Sequence, residues 1–188
     1  RAEDVPELQP YLIDVYEELH HNDEEVEILF EGAQGFGLDI DWGDYPYVTS
    51  SNCTVAAALQ NGVPPQALRH VWGVAKAYET YVGAKQFQGK DPVFDQIQIV
   101  GEEFGATTGR KRQVNWMDWR LVEKAIKING VTHAVFNKMD VLDEVKQWAI
   151  QVGELTHHFD FSKDMSDWIH GHLNSSTSVY FSRSKETI

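Results

Sequence analysis

The sequence predicts an α/β protein with a mostly parallel central sheet flanked by helices. Segments with apolar residues at helical spacing alternate with short runs of β-branched and aromatic residues, the order expected of strands joined by crossover helices. Polar, glycine-rich stretches fall directly after several of those runs, where open parallel sheets gather their ligands. With 188 residues, 42 % of them hydrophobic, the chain can bury the core such a sheet needs.

The elements follow in chain order. "PELQPYLIDVYEELHHND" sets Leu12, Val15, Tyr16 and Leu19 at helical spacing with acids outside, which predicts an amphipathic helix. "EVEILFEG" predicts a short buried strand closed by Gly32, so that the glycine-rich stretch after it leaves a strand end. "TVAAALQNG" predicts a helix stopped at Asn61-Gly62, and "VPPQALRHV" starts another at its prolines. "VWGVAKAYETYV" alternates as a strand, and residues 85–98, with Gly89 and Pro92, read as a loop. "MDWRLVEKAIKING" predicts a helix ended by Asn129-Gly130, "VTHAVFN" a strand, and "KMDVLDEV" the segment leaving it. "DMSDWIHGHL" predicts a helix and "SVYFS" a last strand. No internal repeat, low-complexity tract or linker divides the chain, so residues 1–188 read as part of a single domain.

The formal net charge of −13 disfavours a nucleic-acid partner, because a phosphate backbone would be repelled. No apolar run approaches a membrane span, and no secretory signal opens the chain. The single cysteine, Cys53, excludes an internal disulfide, fits a reducing cytoplasm and reads as a small apolar residue. The opening "RAEDVPELQP" has no initiator Met and reads as the middle of a longer protein or a processed product.

Three stretches could carry chemistry. In "FEGAQGFGLDIDWGDYPYVTSSN" the acids Asp39, Asp41 and Asp44 fail the calcium-loop spacing: Gly43 falls one place early and Ser50 stands where the last acid belongs. Acids bonding their own backbone in a tight turn account for them better. The stretch also lacks the lysine of a phosphate loop, and no Gly-Lys-Ser/Thr ending occurs in the chain. A pocket wall, with the Gln34 amide facing a polar ring edge, and a structural glycine-rich turn fit these residues equally. "GEEFGATTGRKR" sets two threonines and a glycine beside Arg110, Lys111 and Arg112, the densest positive cluster in an acidic chain, and reads as an anion site. "NKMD", straight after a predicted strand, has the pattern with which GTP-binding proteins read guanine, although for these four residues taken alone a turn capping a strand is the better account. His157, His158, His170 and His172 lack a nearby cysteine and read as surface residues rather than zinc ligands.

Taken together and in order, "FEGAQG…LDID…YPYVTSSN", "GVAKAYETYVG", "GEEFGATTGRKR" and "KMDVLD" resemble the adenylosuccinate synthetase family from about Phe30 to Asp143. The resemblance implies a P-loop-like synthetase fold and a ligase that joins L-aspartate to carbon 6 of a purine nucleoside monophosphate through a 6-phosphoryl intermediate. It implies that Gln34 contacts the 6-oxygen as the catalytic amide. It places Leu38, Thr49, Val82 and Arg110 with Gln34 at the monophosphate, Thr107, Thr108, Arg110 and Arg112 at the aspartate, and Lys138, Asp140 and Ser182 at the base of the triphosphate. It further implies a cytoplasmic homodimer, in the host cytoplasm if the protein is a phage enzyme, and a Mg2+ site in an N-terminal half that also carries the phosphate loop. That half is absent from this sequence, so the chain reads as the C-terminal half of a larger synthetase, inactive by itself, with no metal ligand of its own.

Departures from the family pattern bear on the substrates. "VGAKQFQG" replaces a glycine-proline-rich segment, and "FSRSKETI" stands where a second guanine contact, Ser-Thr-Gly-Pro, is usual. The short tail resembles archaeal members and the phage enzymes of the 2-aminoadenine (diaminopurine) pathway, which take dGMP with ATP or dATP. The sequence leans to this phage type, which would give a 2-amino-2'-deoxy-N6-succinyladenylate; the alternative is an ordinary purine-biosynthetic enzyme using IMP and GTP, which the retained "NKMD" favours. A non-catalytic nucleotide-binding module is a third reading. A GTPase-like switch is the last, and it needs a Walker loop this chain lacks.

Overall fold

The computed structural model describes residues 1–21, 27–105, 109–184 and 186. Among them run seven strands, β1 (Trp72–Lys76), β2 (Tyr78–Tyr81), β3 (Gln113–Asp118), β4 (His133–Asn137), β5 (Trp148–Val152), β6 (Leu155–Phe159) and β7 (Ser178–Phe181). The helices are α1 (Val15–His20), α2 (Ala56–Gln60), α3 (Val93–Val100), α4 (Trp119–Asn129), α5 (Met139–Val145) and α6 (Ser162–His172).

The strands form two sheets. One is wholly parallel, in the order β1-β4-β7. The other, β2-β3-β5-β6, is mixed: β3 and β5 run parallel, and each carries an antiparallel neighbour. Helices lie against this framework, α3 on β3 and α5, and α6 on β5 and β6. The core between them holds Tyr78, Ile97, Phe136, Met139, Leu142, Ile150, Met165 and Ile169, all fully buried. The expected α/β class with a parallel sheet and flanking helices is the observed one.

Local chemistry sets the element ends. The Asp118 carboxylate accepts from the Arg120 N–H at 2.9 Å and opens α4, and Gly130 closes it in the left-handed conformation at φ 60°. α1 starts later than the periodicity suggests. Asp14 caps it by accepting from Tyr16 and Glu17, while Pro10 sits in a separate single turn, Gln9–Tyr11. Asn22 and Asp23, the predicted end of that helix, lie outside the described residues.

Several expectations are corrected. Residues 27–32 form no strand, and Ile28, Leu29 and Phe30 are exposed, Leu29 at 89 %. Extended backbone needs an edge to pair with, and no described strand pairs with this segment. Glu25 and Val26 of the same expected strand lie outside the described residues. "VWGVAKAYETYV" is two strands that part at Ala77 and enter different sheets; the Ala77 N–H turns to the Asn137 carbonyl at 2.8 Å. The segment read as a loop over 85–98 contains most of α3, which Asp91 opens by accepting from the Val93 N–H, and whose Val93, Phe94 and Ile97 are buried. "VPPQALRHV" makes only the turn Pro65–Ala67, and "KMDVLDEV" forms α5.

Candidate functional site

β1, β4 and β7 run parallel, so their carboxyl ends share one edge of the sheet. Lys76 ends β1, Asn137 ends β4, and Ser182 follows β7. Ser182 is buried; its N–H donates to the Phe136 carbonyl at 2.9 Å and its own carbonyl accepts from the Met139 N–H at 3.3 Å. Its hydroxyl donates to the Ser184 carbonyl at 2.8 Å. The residue thus abuts the turn that carries Lys138 and Asp140. Lys138 holds the left-handed conformation, φ 64°, and its Nζ donates to the Gly101 carbonyl at 3.1 Å. Asp140, in the first turn of α5, is exposed.

Through Gly101 that edge meets the loop of the positive cluster. Glu103, 3 % exposed, accepts from Lys76 Nζ at 2.7 Å on both oxygens and from the Tyr78 hydroxyl at 2.7 Å. Arg112 Nη1 lies 3.8 Å from Glu103 Oε2, an ion pair longer than a hydrogen bond. Burial pushes the Lys76 ammonium below its usual pKa; Glu103 opposes that, and the nearby Arg112 and Lys138 charges add to it. Burial and the Glu103 carboxylate push the Tyr78 phenol well up, so it stays a donor. Arg112 Nε and Asn137 Oδ1 are buried without a partner among the described residues. Arg110 is exposed, with its carbonyl accepting from the Gly105 N–H at 2.8 Å. Thr107 and Thr108, expected beside these arginines, lie outside the described residues.

The opening stretch is built on another carboxylate. Asp39 is fully buried and accepts from the N–H groups of Asp41 and Trp42 at 2.9 Å and of Cys53 at 2.6 Å. Burial raises its pKa, but these three donors outweigh it and hold the group below the ordinary carboxylate value. The tight-turn reading of these acids therefore holds for Asp39. Gly43 is required here: a Cβ would stand 2.5 Å from the Asp39 carbonyl and 2.6 Å from that of Gly37.

Leu38 and Thr49 meet across the loop, the Thr49 N–H donating to the Leu38 carbonyl at 2.8 Å. Asp44 pairs with Lys85, which ties the loop to the segment after β2, where Val82 is exposed. Lys124 donates to the Trp42 carbonyl at 3.3 Å, and Asn129 accepts from the Val55 N–H at 2.8 Å, so α4 anchors both ends of the region. Gln34 is exposed at φ 67°, and no hydrogen bond among the described residues joins it to the strand-end cluster.

The structure thus brings Arg112, Lys138, Asp140 and Ser182 to one edge, and Leu38 and Thr49 to one loop. Residue-type reasoning passed over Lys76, Tyr78 and Glu103. The signal was present: a lysine and a tyrosine flank the last alanine before a strand break, and "GEEFG" sets an acid between glycines. Among the described residues no three His, Cys, Asp or Glu side chains gather to hold a metal ion, so none is assigned as a magnesium ligand. No helix among them is long and apolar enough to cross a membrane.

Comparison with known proteins adds a family. The family model described as adenylosuccinate synthetase matches residues 2–170. The adenylosuccinate synthetase of Desulforapulum autotrophicum is 45 % identical over 150 residues, covering 78 % of this chain and 35 % of the relative. That of Schizosaccharomyces japonicus is 44 % identical over 149 residues, covering 77 % and 34 %. The chain spans about a third of the length of the curated relatives it matches. Among solved structures, the fully ligated adenylosuccinate synthetase from Plasmodium falciparum superposes with a TM-score of 0.61 at 36 % identity, over 64 % of this chain and 29 % of that one. The succinoaminodeoxyadenylate synthetase of cyanophage S-2L, bound to dGMP and dATP, superposes with a TM-score of 0.59 at 20 % identity, over 92 % and 58 %, a likeness of fold.

Proposed function

The chain belongs to the adenylosuccinate synthetase family of C–N ligases, and from that premise we propose that it holds the aspartate site and part of both nucleotide sites of an aspartate–purine nucleotide ligase. Lys76, Lys138, Asp140 and Ser182 lie at the carboxyl ends of three parallel strands, and Glu103 joins Arg112, at the entry to β3, to that edge; this gathering carries the reading. Two nucleotides and a dicarboxylate need fixed cations with spare donors, and Arg112 and Lys138 supply them, while Lys76 spends its donors on Glu103 and Thr80.

In the reaction, the terminal phosphoryl of a triphosphate moves to the 6-oxygen of the monophosphate. The aspartate amine then attacks carbon 6, and inorganic phosphate leaves with that oxygen. Gln34 donates its amide N–H to the 6-oxygen as charge develops there. Leu38, Thr49 and Val82 line the monophosphate, which Arg110 also approaches. Arg110 and Arg112, with Thr107 and Thr108, hold the aspartate carboxylates. Lys138 stacks its stem on the triphosphate base, Asp140 accepts from the ring edge, and Ser182 adjoins them. The phosphate loop and the Mg2+ site belong to a further, N-terminal part of the enzyme, and the working unit is a homodimer.

IMP with GTP is the pairing we favour. The relatives named above at 36 to 45 % identity are adenylosuccinate synthetases, and Asn137-Lys138-Met139-Asp140 keeps the guanine-reading pattern. dGMP with ATP or dATP, giving a 2-amino succinyl-deoxyadenylate, is the second reading. The "FSRSKETI" tail favours it, since it lacks the usual second guanine contact. A product assay on the complete protein tests both. Aspartate is supplied with IMP and GTP, or with dGMP and ATP, and products are read by mass spectrometry. Adenylosuccinate from the first mixture upholds the first reading, and the 2-amino product alone upholds the second. Nucleotide binding with no aspartate adduct from either mixture overturns both in favour of a non-catalytic module.

A further inference from the structure

Glu103 has a place in this site that the roles above leave open. Its partners come from three separate segments: Lys76 is the last residue of β1, Tyr78 the first of β2, and Arg112 directly precedes β3. Its backbone is fixed as well. The Glu103 N–H donates to the Gln98 carbonyl at 2.9 Å, and its carbonyl accepts from the Arg112 N–H at 3.0 Å and from Gln98 Nε2 at 3.2 Å. The carboxylate therefore cannot swing toward an incoming ligand. A 3.8 Å ion pair draws the Arg112 guanidinium from one side without consuming its donors. Nε remains buried and unpartnered among the described residues, the condition of a group whose partner is a ligand. One carboxylate faces two cations, so the cluster stays net positive and does not repel a dicarboxylate.

We infer that Glu103 is a positioning residue for Arg112: clamped by Lys76 and Tyr78, it fixes the direction of the guanidinium that receives a carboxylate of the amino-acid substrate. The inference rests on the ligase reading for the identity of that carboxylate. Lys138 touches the same loop at Gly101, so the aspartate side and the triphosphate-base side share one support.

The test uses Glu103→Gln, which keeps the shape and removes the charge. In the complete protein the aspartate KM should rise about tenfold, the scale of one charge-assisted hydrogen bond, with the monophosphate KM within about twofold. Tyr78→Phe removes one clamp with less risk to folding and should raise the aspartate KM about threefold. In an Arg112→Lys background Glu103→Gln should add less than about twofold, because its effect runs through Arg112. Full additivity, or an even loss across all substrates, overturns the inference. A second readout needs no turnover: the Arg112 Nε–Hε resonance should shift and exchange faster with solvent in Glu103→Gln. If the parent protein makes no aspartate adduct, the ligase reading fails. The resonance then still decides the positioning claim, and an unmoved signal overturns it.

Discussion

Asp39 and Glu103 are both buried carboxylates in glycine-rich loops, and they do different work. Asp39 accepts from three backbone N–H groups, of Asp41, Trp42 and Cys53, and pairs with no cation among the described residues. Glu103 accepts from side chains of two strands and draws an arginine at the entry to a third. The first fixes a shape and the second fixes the direction of charge. A backbone-satisfied acid makes a wall, whereas an acid held by cations makes a receptor for another acid. Glu79 shows what happens with less support. It accepts from one backbone N–H, that of Asp118 at 3.3 Å, and burial together with the Asp118 charge pushes its carboxyl up to about 7.

The comparison can be broken most sharply at Asp39. Asp39→Ala leaves three donors unmet and should lower stability by about 3 kcal/mol in urea denaturation. Asp39→Asn keeps an acceptor and should lower it less; equal losses would contradict the backbone role. Gln34→Ala should reduce kcat about a hundredfold while substrate affinity changes little, because its bond strengthens only as the 6-oxygen gains charge. An equal loss in both would count against that role.

Glu79→Gln sharpens the third case. The folded protein holds the Glu79 proton between the ordinary value of 4.5 and about 7 where the unfolded chain releases it. Stability from this group is full below pH 4.5 and is lost as pH rises through about 7. Relative to the parent, the variant should therefore gain about 3 kcal/mol on going from acid to mildly alkaline pH. A pH-independent difference in melting temperature would refute this. The smallest effect is expected at Asn129, whose side chain joins α4 to the Val55 N–H. Asn129→Ala should cost about 1 kcal/mol in the same denaturation experiment.

The same contrast explains what could be read from the sequence. α4, β4, α6 and β7 were legible because periodicity, Asn129-Gly130 and β-branched runs act locally. The split of β1 from β2 at Ala77 was not, because it depends on which sheet each half joins. Residues 27–32 carry a strand's pattern, and lacking a paired edge they form none. In the site, the arginines, Lys138 and Asp140 announced themselves as clustered or patterned charges. Glu103, Lys76 and Tyr78 did not, since their roles arise from contacts between residues 25 to 27 positions apart. Asp39 was legible as a turn former, but its burial and its long reach to Cys53 were not.

The aspartate dependence of Arg112→Ala tests the central claim most directly. With both nucleotides saturating, the account predicts an aspartate KM raised about a hundredfold and a monophosphate KM within about twofold of the parent. An unchanged aspartate KM would contradict the assignment of the strand-end cluster as the aspartate site.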